Sequence, residues 1–290
     1  MAVCRLCPRM CTVDRAAGER GFCGAPQDFL IARVATHPWE EPCLSGTHGS
    51  GTVFFGGCNL QCVFCQNREI CRGTVGRIYS PQALEEAMLS LVEEGAHNIN
   101  LVTPTPYSDR LLPVLRSFKR RSSVPVVYNC GGYESVDALR ALEGLVDVYL
   151  PDCKYSDDAL AKKYSHAEGY YSVAEAALEE MLRQVGAPQR DGAGMLQRGV
   201  LVRHLVLPGG RRDSIALLHR LHQRFGADAF LLSLMSQYTP DFAMDAPYPE
   251  LHRRVTSFEY RSVVDVALEL GFEGYFQERS SADRDYTPKF

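Results

Sequence analysis

The cysteines of this chain are concentrated near its N-terminus. Nine of the 11 cysteines fall within the first 71 residues, and Cys130 and Cys153 follow much later. In reducing compartments, clustered cysteine binds metal more often than it pairs in disulfides. This distribution therefore predicts metal binding at the N-terminal end of the fold, ahead of a longer region that needs no disulfides for stability.

The composition is that of a folded protein of the cytoplasm. It is 46% hydrophobic and 23% charged over 290 residues, which excludes a collagen, a coiled coil and a disordered tail. The formal net charge of −4 argues against broad binding to nucleic acid or to an anionic membrane. No apolar segment resembles a secretory signal or approaches the roughly 18 residues of a membrane span. We therefore expect a cytoplasmic protein with no membrane or nucleic-acid partner.

Strand and helix patterns alternate after about residue 50. Short apolar runs predict six strands, at residues 52–55, 98–102, 124–128, 146–150, 200–207 and 230–235. Amphipathic patterns predict a helix between a cap at Ser80 and an end at Gly95, and further helices at residues 108–121, 135–142, 173–185, 213–225 and 257–271. This alternation implies right-handed βαβ units and a mostly parallel sheet, with ligands bound beyond the carboxyl ends of the strands.

A short loop after the first of these strands carries three cysteines. Cys58, Cys62 and Cys65 are spaced C-x3-C-x2-C. Three thiolates can hold three irons of a cubane 4Fe-4S cluster and leave the fourth iron open, whereas a structural zinc normally takes four protein ligands. The alternative is a zinc site that recruits Cys71 or Cys43 as its fourth ligand.

The loop resembles the radical S-adenosylmethionine (SAM) superfamily, in which SAM chelates the open iron. Phe64 before the third cysteine and the position after a strand also match, and residues 49–55, 58–67, 98–105, 203–209 and 234–238 are similar to the branch named after pyruvate formate-lyase activating enzyme. The resemblance implies a partial (β/α)6 TIM-type barrel of the α/β class over residues 49–290. A cysteine-rich metal-binding extension over residues 1–48 would precede it.

The same resemblance implies an activating-enzyme-like oxidoreductase. Such an enzyme reductively cleaves SAM to a 5′-deoxyadenosyl radical, which abstracts hydrogen from a substrate. The implied substrate is a glycine of a partner glycyl radical enzyme, and flavodoxin or ferredoxin is the implied electron donor. The alternatives are modification of a small molecule, peptide or RNA, and a non-catalytic iron–sulfur electron carrier or zinc-stabilised binding protein.

The resemblance also assigns a SAM pocket to the strand ends. Thr103 and Thr105 stand where the superfamily usually has Gly-Gly-Glu-Pro, whose role is to bind the SAM amino group. The guanidinium of Arg203 suits the SAM carboxylate or ribose. Asp152 and Lys154 resemble an Asp-x-Lys pair near the SAM carboxylate and a monovalent cation, although Asn129 replaces an aspartate there. The expected cofactor-binding residues are Phe64, Asn67, Thr103, Thr105, Asn129, Asp152, Lys154, Arg203, Gln237 and Tyr238, each with a role in a turn or at the core edge as its alternative.

A second set of cysteines lies in the predicted extension. Cys4, Cys7, Cys11 and Cys23 are spaced C-x2-C-x3-C-x11-C. Four cysteines within this distance can wrap one metal centre, and the spacing leaves an auxiliary 4Fe-4S cluster, zinc and a single iron open. Unligated thiols are the alternative.

Several other polar residues near the predicted strand ends permit more than one interpretation. Cys130 and Cys153 could relay hydrogen, but buried cysteine is most often a small apolar side chain. His204 should face away from the pocket because it alternates with Arg203 along a strand. Glu40 and Glu41 could line the mouth of the pocket or be solvated.

Overall fold

The computed structural model describes residues 3–277. Its strands are β1 (Phe29–His37), β2 (Ser50–Phe55), β3 (Arg77–Tyr79), β4 (Ile99–Val102), β5 (Val126–Cys130), β6 (Val148–Pro151), β7 (Gln189–Arg190), β8 (Leu196–Leu205), β9 (Leu231–Met235) and β10 (Gly274–Phe276). Its helices are α1 (Pro42–Ser45), α2 (Pro81–Glu93), α3 (Ser108–Arg121), α4 (Val136–Ala141), α5 (Asp158–Ser165), α6 (Tyr170–Val185), α7 (Arg211–Phe225) and α8 (Ser257–Glu269). Within this part of the chain, no helix combines the length and apolar character needed to cross a membrane.

The strands form one sheet in the order β10-β9-β8-β6-β5-β4-β2-β1-β3, with β7 beside β8. All neighbours from β2 to β10 along this order are parallel. Six of these strands are the predicted ones, and α2, α3, α4, α6, α7 and α8 correspond to the predicted helices, whereas α5 was not predicted. The predicted α/β partial barrel is therefore confirmed, and β10 extends its parallel part.

The sequence reading missed β1, which lies within the predicted cysteine-rich extension. β1 pairs with β2 in the antiparallel direction, from Ile31 opposite Phe55 to His37 opposite Ser50. β1 also pairs with the edge strand β3, and an antiparallel strand of this kind lies outside the βα alternation on which the strand predictions were based, so that pattern could not reveal it. The boundary expected between residues 48 and 49 stays a prediction, and part of the segment before it belongs to the sheet.

Helix α2 shows how local sequence set the predicted bounds. The Ser80 hydroxyl accepts a hydrogen bond from the Ala83 amide at 3.1 Å, and Pro81 occupies the first turn. Leu84, Met88 and Leu91 form the buried face of this helix. The cap, the proline and the spacing of the apolar residues all indicate the same helix, and its buried face packs against one face of the sheet.

The opposite face of the sheet is covered by the segment that joins β1 to β2. Cys43 and Leu44 of α1 pack there against apolar side chains of the central strands, namely Val127, Val148, Leu150, Leu196, Leu201 and Leu231. This packing brings the preceding residues, Glu40 and Glu41, close to Arg203 of β8. Residues from outside the βα units thus cover the inner face of these strands.

Candidate active site

The three cysteines of the loop Cys58–Cys65, called the barrel loop below, lie directly beyond the end of β2. Gly57 precedes the loop with a φ of +94°, and a Cβ at this position would lie 2.8 Å from the Cys23 carbonyl oxygen. Only glycine fits this close approach without strain. The Leu60 amide lies 3.4 Å from Cys58 Sγ, and the Ser165 hydroxyl donates to Cys62 Sγ at 2.9 Å.

Three thiols on one buried loop are a donor set suited to an iron–sulfur cluster. Burial raises the pKa of Cys58 to about 12, so binding of iron would have to displace its proton. Among residues 3–277, no three His, Cys, Asp or Glu side chains are arranged to hold a single metal ion. The thiols of a cubane cluster each bind a separate iron and need not converge on one point.

Cys71 lies beside the barrel loop, whereas Cys43 does not. A hydrogen bond between Cys65 and Cys71 raises the pKa of Cys65 and lowers that of Cys71. The Cys71 thiol also donates to the Arg68 carbonyl at 3.3 Å. Cys43 is packed on the inner face of the sheet beside Tyr275.

A cavity of about 590 Å³ extends from the barrel loop to the segment between β1 and β2. Its lining includes Cys62 and Cys65 of the barrel loop, His37 of β1, and Trp39 and Ser45 of the segment between β1 and β2. The cavity brings together seven of the expected cofactor-binding residues, which are Phe64, Asn67, Asn129, Asp152, Lys154, Arg203 and Gln237.

Three expected residues do not line this cavity. Thr105 starts a buried 3-10 turn, and its hydroxyl donates to Glu134 at 2.8 Å. The Tyr238 hydroxyl donates to the Leu251 carbonyl at 2.7 Å. Thr103 has a φ of +60°, and its amide donates to the Asn129 carbonyl at 2.8 Å. The hydroxyls of Thr105 and Tyr238 are therefore directed into the packed structure instead of into the cavity. The positive φ of Thr103 and the 3-10 turn at Thr105 are features of the backbone that the motif resemblance could not reveal.

Five charged side chains, called the charged cluster below, meet in and beside the cavity. They are Glu40, Glu41, Asp152, Lys154 and Arg203. The Arg203 guanidinium donates to Glu40 at 3.0 Å and to Asn129 Oδ1 at 2.7 Å, and it lies 3.5 Å from Asp152 and 3.9 Å from Glu41. Lys154 Nζ donates to the second oxygen of Asp152 at 2.6 Å. Three carboxylates thus surround two cations.

In this cluster, burial and the neighbouring cations shift the pKa values of the carboxyl groups in opposite directions. Burial alone would raise the pKa of Asp152, but Lys154 and Arg203 hold that pKa below its ordinary value. Burial raises the pKa of Glu41, and Arg203 compensates only in part. Glu40 lines the cavity, whereas Glu41 is buried and does not line it, so Glu41 takes neither of the two positions that the sequence left open.

Residues on the other face of the same strands are structural. His204 is 1% exposed, and its ring nitrogens contact the Cys153 carbonyl at 2.7 Å and the Ser214 hydroxyl at 2.8 Å. The expectation that His204 faces away from Arg203 is confirmed. Cys130 and Cys153 are buried in the main apolar core, outside the cavity lining.

The four N-terminal cysteines line one small cavity of their own, together with Asn59 of the barrel loop. Burial raises the pKa of Cys7 to about 12 and also raises that of Cys23. A Cβ at Gly21 would lie 2.9 Å from Cys11 Sγ, so glycine is needed where the chain passes this thiol. The Asn59 side chain is buried, and its Oδ1 has no hydrogen-bond partner.

Comparison with known proteins gives a family and two longer relatives. Residues 52–216 match the family model of the radical SAM superfamily. The uncharacterized protein MJ0674 of Methanocaldococcus jannaschii is 27% identical over 273 residues, which are 91% of this chain and 74% of the relative. The uncharacterized protein MJ0808 of the same organism is 25% identical over 264 residues, covering 84% and 73% of the two chains.

Solved structures share the fold at low sequence identity. A radical SAM methyltransferase from Sphaerobacter thermophilus has a TM-score of 0.51 at 13% identity, covering 87% of this chain and 77% of its own. Methylornithine synthase has a TM-score of 0.50 at 16% identity, covering 75% of this chain and 63% of its own. The FeFe-hydrogenase maturase HydG from Carboxydothermus hydrogenoformans has a TM-score of 0.50 at 12% identity, with coverages of 79% and 53%. The chain thus spans about three fifths of the synthase and half of the maturase.

The family match includes the barrel loop, four strands of the parallel sheet after β2, and the cavity residues from Phe54 to Leu205, but not those of the segment between β1 and β2. It covers more than half of the chain. The chain therefore belongs to the radical SAM superfamily and is an enzyme that generates a radical from S-adenosylmethionine.

Proposed function

We propose that Cys58, Cys62 and Cys65 hold a 4Fe-4S cluster and that SAM binds beside it in the main cavity. The observation that supports this assignment is that one cavity is lined by Cys62 and Cys65 of the barrel loop and by four members of the charged cluster, Glu40, Asp152, Lys154 and Arg203. When bound, the cluster supplies the electron that cleaves SAM into methionine and a 5′-deoxyadenosyl radical. That radical takes a hydrogen atom from a carbon of the substrate, leaving 5′-deoxyadenosine and a substrate radical.

The charged cluster would orient SAM and exclude water. Lys154 projects into the cavity near Cys62 and offers an ammonium to the SAM carboxylate. The carboxylates of Glu40 and Asp152 favour the positively charged sulfonium and amino groups. Arg203 is already held by Glu40 and Asn129, so it fixes these groups in position as well as presenting its own charge.

The first candidate substrate is a glycine of a partner glycyl radical enzyme, with flavodoxin or ferredoxin as electron donor. This candidate rests on the resemblance of the barrel loop and strand ends to the activating-enzyme branch. A small polar molecule is the second candidate, and the lining of the cavity favours it. His37 of β1 and Ser45 of α1 line the same cavity as the residues assigned to SAM, and the buried Ser45 hydroxyl has no hydrogen-bond partner within the described residues, so it is available to a polar group of a substrate.

We further propose that Cys4, Cys7, Cys11 and Cys23 hold a second metal centre. All four cysteines line the same small cavity, which supports one shared centre over four separate thiols. The donor set suits an auxiliary 4Fe-4S cluster, zinc or a single iron.

Anaerobic reconstitution with iron and sulfide tests the main assignment. With dithionite and SAM, the reconstituted protein should release methionine and 5′-deoxyadenosine, and Cys43→Ala should do the same because Cys43 lies outside the barrel loop. Stoichiometric zinc without sulfide at the barrel loop would contradict the proposal. Mixing the reduced protein and SAM with a candidate glycyl radical enzyme should give a glycyl radical signal by electron paramagnetic resonance (EPR). If 5′-deoxyadenosine forms only with a small polar substrate, the second candidate is favoured.

A further inference from the structure

The C-terminal end of α5 is docked against the barrel loop. The Val63 amide donates to the Tyr164 carbonyl at 2.9 Å. The next residue, Ser165, is completely buried, and His166 then ends the helix in the left-handed conformation with a φ of +53°. The backbone therefore holds Ser165 at a fixed position beside the loop.

Within this contact, the Ser165 side chain reaches one of the three cysteines. Its hydroxyl donates to Cys62 Sγ at 2.9 Å, and the Tyr155 hydroxyl lies 2.6 Å from Ser165 Oγ. A serine hydroxyl has a single hydrogen. If that hydrogen points to the sulfur, the Tyr155 hydroxyl must be the donor to Ser165. Tyr155 can keep this role because burial holds its pKa well above the ordinary value.

The N-terminal region fixes the same end of α5 from the other side. Arg9 lies between Cys7 and Cys11, and its guanidinium donates to the carbonyls of Ser165, at 3.3 Å, and His166. Its Nε donates to the Asn59 carbonyl of the barrel loop at 2.9 Å. Arg9 thus ties the helix end to the loop, so the distance between Ser165 and Cys62 does not depend on one contact.

We propose that Ser165 is a positioning residue that raises the reduction potential of the barrel cluster by donating a hydrogen bond to Cys62, with Tyr155 orienting its hydrogen. Reduction adds negative charge to a cluster and its thiolate ligands. A donor aimed at a ligand sulfur stabilises the reduced form more than the oxidised form. The inference rests on the proposed function, because it requires Cys62 to be a ligand.

The test is a redox titration of the reconstituted full chain, followed by the EPR signal of the reduced cluster. Ser165→Ala removes the donor, so the ratio of reduced to oxidised cluster at a given potential should fall about tenfold, which lowers the midpoint potential by about 59 mV for one electron. Ser165→Thr keeps a hydroxyl and should stay close to the unmodified protein. Ser214→Ala is the matched control, since Ser214 is also a buried serine but bonds His204.

Tyr155→Phe provides a second measurement that leaves Ser165 in place. It should lower the potential in the same direction by a smaller amount, because the serine loses the donor that orients it. If Ser165→Ala fails to fold or to retain iron, the reduction potential of Tyr155→Phe still tests the proposal. A full cluster content with unchanged potentials in both Ser165→Ala and Tyr155→Phe, or in Tyr155→Phe alone if Ser165→Ala cannot be titrated, would overturn the role of Ser165. Absence of any reducible cluster in the unmodified protein would instead overturn the proposed function.

Discussion

The two cysteine regions differ in what surrounds their thiols. The barrel loop presents three cysteines and opens on a cavity of about 590 Å³ that contains charged side chains. The N-terminal region presents four cysteines around a small cavity lined mostly by its own residues. Open metal sites keep a position for a substrate, whereas closed sites fill every position with protein ligands. We therefore expect the barrel loop to hold the reactive centre, and the centre proposed for the N-terminal region to support structure or redox chemistry.

The two regions are nevertheless in direct contact through the backbone. The Cys58 amide donates to the Cys23 carbonyl at 3.2 Å, and the Gln61 side chain donates to the Phe22 carbonyl at 2.6 Å. Neither contact uses a cysteine sulfur. The two regions can thus depend on each other for position, and we expect the metals proposed for them to bind independently.

The largest expected effect is loss of the reactive centre. Replacing Cys58, Cys62 or Cys65 by alanine should abolish both the barrel cluster and the release of 5′-deoxyadenosine, because two thiolates cannot hold three irons. Iron and sulfide analysis with an EPR spectrum of the reduced protein measures this. Retention of the complete cluster signal in any of the three variants would mean that the assigned ligands are wrong.

Removal of the N-terminal centre should have a narrower effect. The double variant Cys4→Ala, Cys7→Ala should lose the second metal yet keep the spectral change that SAM causes at the barrel cluster. The Cys23 carbonyl remains available to Cys58 in this variant, so the contact between the regions survives. Metal analysis and SAM titration of a variant whose circular dichroism is unchanged would check this, and loss of both centres would show that they are not independent.

Arg203 tests whether the charged cluster holds SAM. Hydrogen bonds to charged groups contribute about 1.5 to 3 kcal/mol, so Arg203→Ala should weaken SAM binding by roughly 10- to 150-fold while the cluster remains. Arg203→Lys should recover only part of this, because an ammonium cannot bond Glu40 and Asn129 in the planar geometry of the guanidinium. The apparent Kd of SAM, from titration of the cluster signal, gives the answer. Equal affinities in all three proteins would limit Arg203 to a structural role.

The features that were predicted best from the sequence are those that depend on local sequence pattern. The bounds of α3 match the prediction residue for residue, and the barrel loop follows β2 as expected, because periodicity and cysteine spacing are local properties. Contacts between distant segments were harder to predict. Glu40 meets Arg203 across 163 positions, and Ser165 meets Cys62 across 103 positions. No spacing rule links such residues.

The expected SAM contacts divide in the same way. Asn129, Asp152 and Arg203, which the resemblance assigned to the SAM pocket, belong to neighbouring parallel strands or follow them directly, and they line the cavity; their contact with SAM stays a prediction. Thr103, Thr105 and Tyr238 lie in segments that follow strands, where the backbone decides the direction of the side chain. The positive φ of Thr103 and the 3-10 turn that follows it were not visible in the residue types.

Glu134 offers the smallest test, which concerns the support behind the N-terminal cavity. This glutamate is 2% exposed and accepts hydrogen bonds from Thr105, which lines that cavity, at 2.8 Å, and from Tyr128 at 3.4 Å. Burial raises its pKa from an ordinary 4.5 to about 7, although the bonds from Thr105 and Tyr128 oppose the shift. A group whose pKa is raised in the folded state favours folding at low pH. Its contribution is lost as the pH rises through about 7.

The unmodified protein should therefore lose stability relative to Glu134→Gln between about pH 4.5 and pH 7, by up to roughly 3 kcal/mol. The glutamine stays neutral throughout and keeps an acceptor for Thr105. Urea unfolding of the metal-free proteins at several pH values measures the difference, and Glu93→Gln on the exposed face of α2 is the control. Parallel stability curves for Glu134→Gln and the unmodified protein would show that Glu134 does not titrate in this range. In that case the packing between the N-terminal cavity and the core would not depend on pH in this range.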